Sequence, residues 1–121
     1  MTQGLGSDII EIKRIRASID RHGSHFLQRI FSQKEQDYCL QFQDSTPHFA
    51  GKFAAKEAVA KALGTGIGAD LSWLDFEILN EAQGKPTVVF NTAARQKFSN
   101  PQILLTISHC VDYAMAVAVW T

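Results

Sequence analysis

The stretch from Pro47 to Gly64 constrains this chain more than any other. Proline suits a first helical turn, glycine suits the residue that ends a helix, and the alanine-rich segment between them predicts one long helix. At about 100° per residue, Phe49, Phe53, Ala60 and Leu63 share an arc roughly 80° wide, and Lys56 falls inside that arc. Glu57 and Lys61 stand one turn apart on an adjoining face, with only the small side chains of Ala50 and Ala54 around them. Two readings are open. The ordinary one makes Glu57 and Lys61 a surface ion pair and lets Lys56 lift its ammonium to water along an apolar stem. The other leaves room for an anionic ligand, with phosphate the natural candidate.

The elements around this helix come from periodicity and punctuation. Leu5, Ile9 and Ile10 predict a short opening strand, and Ile12, Ile15 and Ile19 continue at helical spacing until His22-Gly23. Ser24 is expected to cap a short helix through Ile30, and Ser32 with Glu35 has capping-box spacing for another to about Phe42. After a glycine-rich loop from Gly64 to Asp70, strand character begins near Trp73. Phe76–Leu79 and Thr87–Phe90 flank Gly84 as an antiparallel hairpin. Asn91 caps a helix to about Phe98, and Ile103–Ile107 and Tyr113–Trp120 supply two further strands. Helices mostly precede strands, so the fold class is α+β, with helices packed on a small, mostly antiparallel sheet.

Length and composition predict one domain over residues 1–121, able to bury about two-thirds of the surface its unfolded chain exposes. With 45% hydrophobic and 20% charged residues, the chain is of neither the disordered nor the membrane class. Cys39 and Cys110 are too few and isolated for a disulfide framework or zinc site, and the start has no signal-peptide pattern. A cytoplasmic protein without a membrane anchor is expected. Net charge is zero, but from Glu11 to Lys34 six Lys and Arg oppose only Glu11 and Asp20, a local +4. That polarity points to an acidic partner or to a solvated helix face.

Gly64-Thr65-Gly66-Ile67-Gly68 is not a nucleotide loop of the usual kinds, because it follows a helix rather than a strand and lacks the terminal Gly-Lys-Ser/Thr. Asp8 either caps the first helix with Glu11 three residues on, or joins Glu57 on a hard cation such as Mg2+. Two carboxylates make a poor metal cage alone, but they suit an ion that takes its other ligands from water and phosphate. Thr106 and Ser108 share one face of a strand that ends in His109. His22, His25 and His48 read as surface residues.

Gly6-Ser7-Asp8-Ile9-Ile10-Glu11-Ile12-Lys13-Arg14-Ile15 and Phe53-Ala54-Ala55-Lys56-Glu57-Ala58-Val59-Ala60-Lys61-Ala62-Leu63-Gly64-Thr65-Gly66 together resemble the two signatures of the holo-acyl-carrier-protein synthases, the short bacterial type of 4′-phosphopantetheinyl transferase. The resemblance extends over nearly the whole chain, through Gly84-Lys85-Pro86 and Ser108-His109 to Tyr113-Ala114. The chain departs from the family at Cys110, where a polar residue is commoner, and at Thr106, where serine is.

The resemblance implies transfer of the phosphopantetheine arm of coenzyme A to a serine of apo-acyl carrier protein, releasing adenosine 3′,5′-bisphosphate. Asp8 and Glu57 would hold Mg2+, and Glu57 would act as base directly or through a water. Lys61 would offset charge on the leaving group. Lys56, Gly64, Gly66, Ser108 and His109 would contact the coenzyme. Arg14, with Arg21, would dock the acidic carrier protein, and the active site would lie between subunits of a homotrimer. The alternative is a small α+β nucleotide- or nucleic-acid-binding module without catalysis; absence of aromatic residues interleaved with its basic ones counts against nucleic acid.

Overall fold

The computed structural model describes residues 1–121. Strand β1 (Gly4–Glu11) is followed by helices α1 (Ile12–His22), α2 (Ser24–Ile30), α3 (Gln33–Leu40) and α4 (Thr46–Ala62). A single 3-10 turn (Trp73–Asp75) leads into β2 (Phe76–Asn80) and β3 (Pro86–Phe90), then α5 (Thr92–Lys97), β4 (Ile103–His109) and β5 (Tyr113–Trp120). All pairing is antiparallel: β1-β5-β4 form one sheet and β2-β3 a separate hairpin. The expected α+β class and hairpin are present, with Gly84 at φ 96° in the turn.

Helix α4 is buried on almost every side, so its sequence is apolar nearly all round. Its inner face lies across β1, β5 and β4. Both surfaces of that contact are made of small residues. Ala54 and Ala58 on the helix and Ala114, Ala116 and Ala118 on β5 are all fully covered. A Cβ at Gly6 would stand 2.1 Å from the Ala58 carbonyl oxygen, and one at Gly4 would stand 1.9 Å from that of Ala62. Only glycine lets β1 run this close to the helix backbone. The outer side of α4 is covered by a second cluster that includes Ile12, Ile15, Ile30, Phe31 and Phe49. A stripe at i, i+4, i+8 stays partly open: Phe53, Glu57 and Lys61.

Most punctuation works as the residues predict. Ser32 and Glu35 form a reciprocal capping box, and the Asn91 side chain accepts from the Ala94 amide. Gly64, at φ 81°, ends α4 with its amide on the Lys61 carbonyl. Two expectations are corrected, and one of the two open readings of Asp8 is closed. Ser24 is the first helical residue of α2, and Gly23, at φ 54°, holds the cap position because its missing Cβ tolerates that conformation. Asp8 caps nothing: it lies inside β1, and α1 starts after Glu11 without a side-chain cap. Trp73 belongs to the 3-10 turn, where Ser72 and Asp75 form a capping box, and strand geometry begins only at Phe76.

Candidate functional site

Tight packing of β1 on α4 brings together residues far apart in sequence. Asp8 follows Gly6 by one full pleat, so its side chain leaves β1 on the same face, toward α4. There Lys61 Nζ donates to the Ser7 carbonyl at 2.9 Å and lies 3.3 Å from Asp8 Oδ1. The Glu57–Lys61 ion pair of the ordinary reading is therefore not formed, and Lys61 makes a contact between helix and strand instead. Glu57, one turn before Lys61, has its carboxyl pushed up from the ordinary range by partial burial first and by the nearby Asp8 charge second, with Lys61 opposing. Two carboxylates and an ammonium thus share one partly open strip.

No group of three or more His, Cys, Asp or Glu side chains converges to hold a metal. What Asp8 and Glu57 offer is oxygen only, from two partly buried carboxylates that already repel one another. That donor set fits a hard cation keeping water and phosphate oxygens in its other positions, as Mg2+ does.

The structure does not bring Lys56 to this strip, which corrects the expectation that it contacts a phosphate. Its side chain is wholly buried and ion-paired with Glu35 Oε1 at 2.9 Å. It also donates to the carbonyls of Ile30 at 2.8 Å, Trp73 at 2.7 Å and Phe76 at 3.1 Å. An ammonium has three donors, and these oxygens occupy them all. Nor does Lys56 carry its ammonium to water along an apolar stem. Its position on the aromatic arc, one residue before Glu57, points it into the second cluster.

Glu35 and Lys52 belong to the same network and were not legible as such. Glu35 Oε2 accepts from the Ile78 amide at 2.7 Å, while Lys52 donates to the Ile78 carbonyl and to Asn80 Oδ1. Glu35, Lys52 and Lys56 therefore satisfy the free edge of β2, where no neighbouring strand does so. The capping box accounted fully for Glu35 in the sequence, so nothing signalled this second duty.

His109 lines a cavity of about 160 Å³ with Tyr38, His48, Lys52, Asn80 and Pro86. His48 is not a plain surface residue, because it stacks on Phe42 with centroids 3.6 Å apart and meets His109 at 5.6 Å. Burial, then the charge of His109, pulls its pKa below the ordinary imidazole value. This cavity opens beside the first half of α4, and Glu57 lies about 7.5 Å beyond Lys52 along the helix axis. A larger groove of about 540 Å³, lined by Gln28, Gln36, Asp75 and Glu77 among others, contains none of the expected residues. Ser108 is separated from His109: it points to the outer face of the sheet opposite Met115, with Thr106.

Gly64 and Gly66 sit just past the end of α4, and the amides of Thr65 and Gly66 both turn back to the Ala60 carbonyl. Space beside both glycines is open. Arg14 and Arg21 are exposed on one face of α1, seven residues apart. Arg16 is not free in this way, since Asp44 holds it at 3.1 Å.

The profile of the 4′-phosphopantetheinyl transferase superfamily matches residues 4–118. A holo-[acyl-carrier-protein] synthase of Protochlamydia amoebophila is 54% identical over 100% of this chain and 99% of its own length. One from Chlamydia pneumoniae is 50% identical over 95% and 93%. Among solved structures, the Helicobacter pylori holo-[acyl-carrier-protein] synthase in complex with coenzyme A superposes with a TM-score of 0.89 at 36% identity, covering 97% of this chain and 99% of that one. A Bacillus anthracis holo-(acyl-carrier-protein) synthase in complex with CoA (3′,5′-ADP) gives 0.85 at 38% identity, covering 99% and 96%. With its strand-to-helix site and these likenesses over its whole length, the chain belongs to the 4′-phosphopantetheinyl transferase superfamily and, within it, to the holo-[acyl-carrier-protein] synthase family of enzymes.

Proposed function

We propose that this protein moves the 4′-phosphopantetheine arm of coenzyme A onto a serine hydroxyl of an acidic apo-acyl carrier protein, releasing adenosine 3′,5′-bisphosphate, with Mg2+ as cofactor and in support of fatty acid biosynthesis in the cytoplasm. The observation that carries this reading is the meeting of Asp8 with Glu57 and Lys61 on one open strip. Attack occurs at a phosphorus of the coenzyme pyrophosphate, chemistry that needs positioning and charge stabilisation more than covalent help from protein.

Asp8 and Glu57 are the residues that would hold Mg2+, which when bound supplies charge neutralisation on the pyrophosphate oxygens. Glu57 is the base. Standing beside Asp8 on the partly open strip, it can take the proton of the serine hydroxyl directly or through a water. Lys61 is the one ammonium at this strip and neutralises charge on the departing bisphosphate. His109 and Lys52, with the cavity they line, suit the nucleotide end of the coenzyme, and Gly64 and Gly66 let backbone approach it. Arg14 and Arg21 offer an acidic helix two unpaired guanidinium groups.

We also read the outer face of the β1-β5-β4 sheet as the contact between copies in a homotrimer. Leu5, Ile9, Leu104, Tyr113 and Met115 are exposed there, an apolar face with no cover in one chain. Ser108 on that face would then approach a neighbouring copy's ligand. Sedimentation of the protein at the dilution of an activity assay checks this, and a fully active monomer would rule it out. The reaction is tested by mass spectrometry of an apo-carrier protein incubated with coenzyme A, Mg2+ and this protein. Gain of one phosphopantetheine unit on the carrier serine is expected, and no gain would refute the reading.

A further inference from the structure

Lys61 reaches past its helical neighbour Glu57 to bond β1. Its ammonium donates to the Ser7 carbonyl at 2.9 Å and contacts Asp8 Oδ1 at 3.3 Å. The two partners differ in cover: the Asp8 side chain is only 18% exposed, whereas that of Lys61 is 51% exposed. The carboxylate is thus held in place by its surroundings, and the lysine is the member of the pair that can leave. We propose that Lys61 is an exchangeable counter-ion of Asp8, so that a divalent cation binding Asp8 must displace the Lys61 ammonium, which an anionic phosphate ligand then takes up. This rests on the reading of Asp8 and Glu57 as the cation site.

Three physical facts carry it. A divalent ion and an ammonium on one carboxylate repel twice as strongly as two single charges at the same separation. The lysine stem has four flexible carbons and three equivalent donors, so release from Asp8 needs only rotation about side-chain bonds. Lastly, an ammonium half open to solvent can exchange its contact with Asp8 for water or for a phosphate oxygen without being buried unpaired.

Cation and polyphosphate therefore bind with mutual reinforcement. A cation alone must compete with Lys61 for Asp8. A phosphate that receives the displaced ammonium removes that competition, and by linkage the cation strengthens phosphate binding by the same factor. The arrangement discourages a free cation from lodging at the site without the ligand it serves.

Binding of Mn2+ to the full chain, followed by the electron paramagnetic resonance of free Mn2+, tests the proposal with no turnover involved. Lys61→Met is expected to bind Mn2+ alone about tenfold more tightly than the parent, and to gain less than the parent when adenosine 3′,5′-bisphosphate or pyrophosphate is added. Lys61→Gln, which keeps a donor for the Ser7 carbonyl, should behave like Lys61→Met and guards against a folding defect. Lys61→Arg, whose planar fork grips carboxylates more firmly, should bind Mn2+ no better than the parent. Unchanged Mn2+ affinity in Lys61→Met, with binding still abolished by Asp8→Asn, would overturn the counter-ion role and leave the cation site standing. Mn2+ binding indifferent to both Asp8→Asn and Glu57→Gln would overturn the cation site and the counter-ion role with it.

Discussion

Gly6 and Ala58 touch backbone to backbone: a methyl group on Gly6 would come within 2.1 Å of the Ala58 carbonyl oxygen. This contact sets the distance between β1 and α4, and hence between Asp8 on the strand and Glu57 and Lys61 on the helix. Gly6→Ala must push the two elements apart. A loss of roughly 3 kcal/mol in urea-monitored stability is expected, at the upper end for overpacking, with transfer activity falling further than stability explains. Wild-type activity in a folded Gly6→Ala protein would show that the spacing does not govern the site.

Lys56 and Glu35 form a wholly buried pair, so removing one partner strands the other. Lys56→Met should cost about 3–5 kcal/mol in stability. The double variant Lys56→Met/Glu35→Leu should recover little, because the Ile30, Trp73 and Phe76 carbonyls and the Ile78 amide lose their partners as well. In protein that still folds, the KM for coenzyme A should stay within about twofold of the parent, whereas a phosphate-binding Lys56 would raise it at least tenfold.

Asp8→Asn and Glu57→Gln should each abolish Mg2+-dependent transfer while leaving stability within about 1 kcal/mol, since both carboxylates are partly open rather than core. Asparagine can still accept from Lys61, so the strand-to-helix contact survives in Asp8→Asn. Thermal melting beside the mass-spectrometric assay separates the two effects, and retained transfer in Asp8→Asn would remove Asp8 from the chemistry.

Arg14→Ala combined with Arg21→Ala should raise the KM for an acidic carrier protein by roughly tenfold and flatten its dependence on salt, leaving the KM for coenzyme A unchanged. These guanidinium groups are exposed, so the effect belongs to encounter with the carrier and not to the fold. Steady-state kinetics across ionic strength would read it; an unchanged salt dependence would place the docking surface elsewhere.

His48 gives a pH dependence with a defined sign. Burial and the charge of His109 hold its folded pKa below the unfolded value, so below about pH 6.5 the unfolded chain binds more protons. Its contribution to stability is complete above that pH and is lost as pH falls through the folded value, by at most about 1.4 kcal/mol per pH unit. Urea midpoints at successive pH values should show this loss in the parent and less of it in His48→Gln. An anion in the cavity favours the charged imidazole, so coenzyme A binding should take up protons over the same range, measurable by calorimetry in buffers of different ionisation enthalpy.

Much of the fold was legible along the chain because its signals are local. A proline that starts α4, a glycine that ends it, the Ser32–Glu35 box, the Asn91 cap and the hairpin about Gly84 each act over a few residues, and each is found where its chemistry requires. Cap positions depend on more than side-chain type: Ser24 has a capping side chain but Gly23 takes that position, and of the two roles open to Asp8 strand pairing with β5 excludes the cap.

The sequence by itself determined the class of the fold, the long apolar helix at its centre and the acids and lysine that carry the family signatures, since these depend on residue type and spacing alone. Only the tertiary structure decided which of the three lysines on that helix faces solvent, that Glu35 waits in the core for Lys56, and that Lys61 turns to Asp8 and not to Glu57. The reason is physical. Helical spacing states which side chains share a face, but the partner of a charge is set by whatever packs opposite, and for α4 that is a strand brought within contact distance by two glycines.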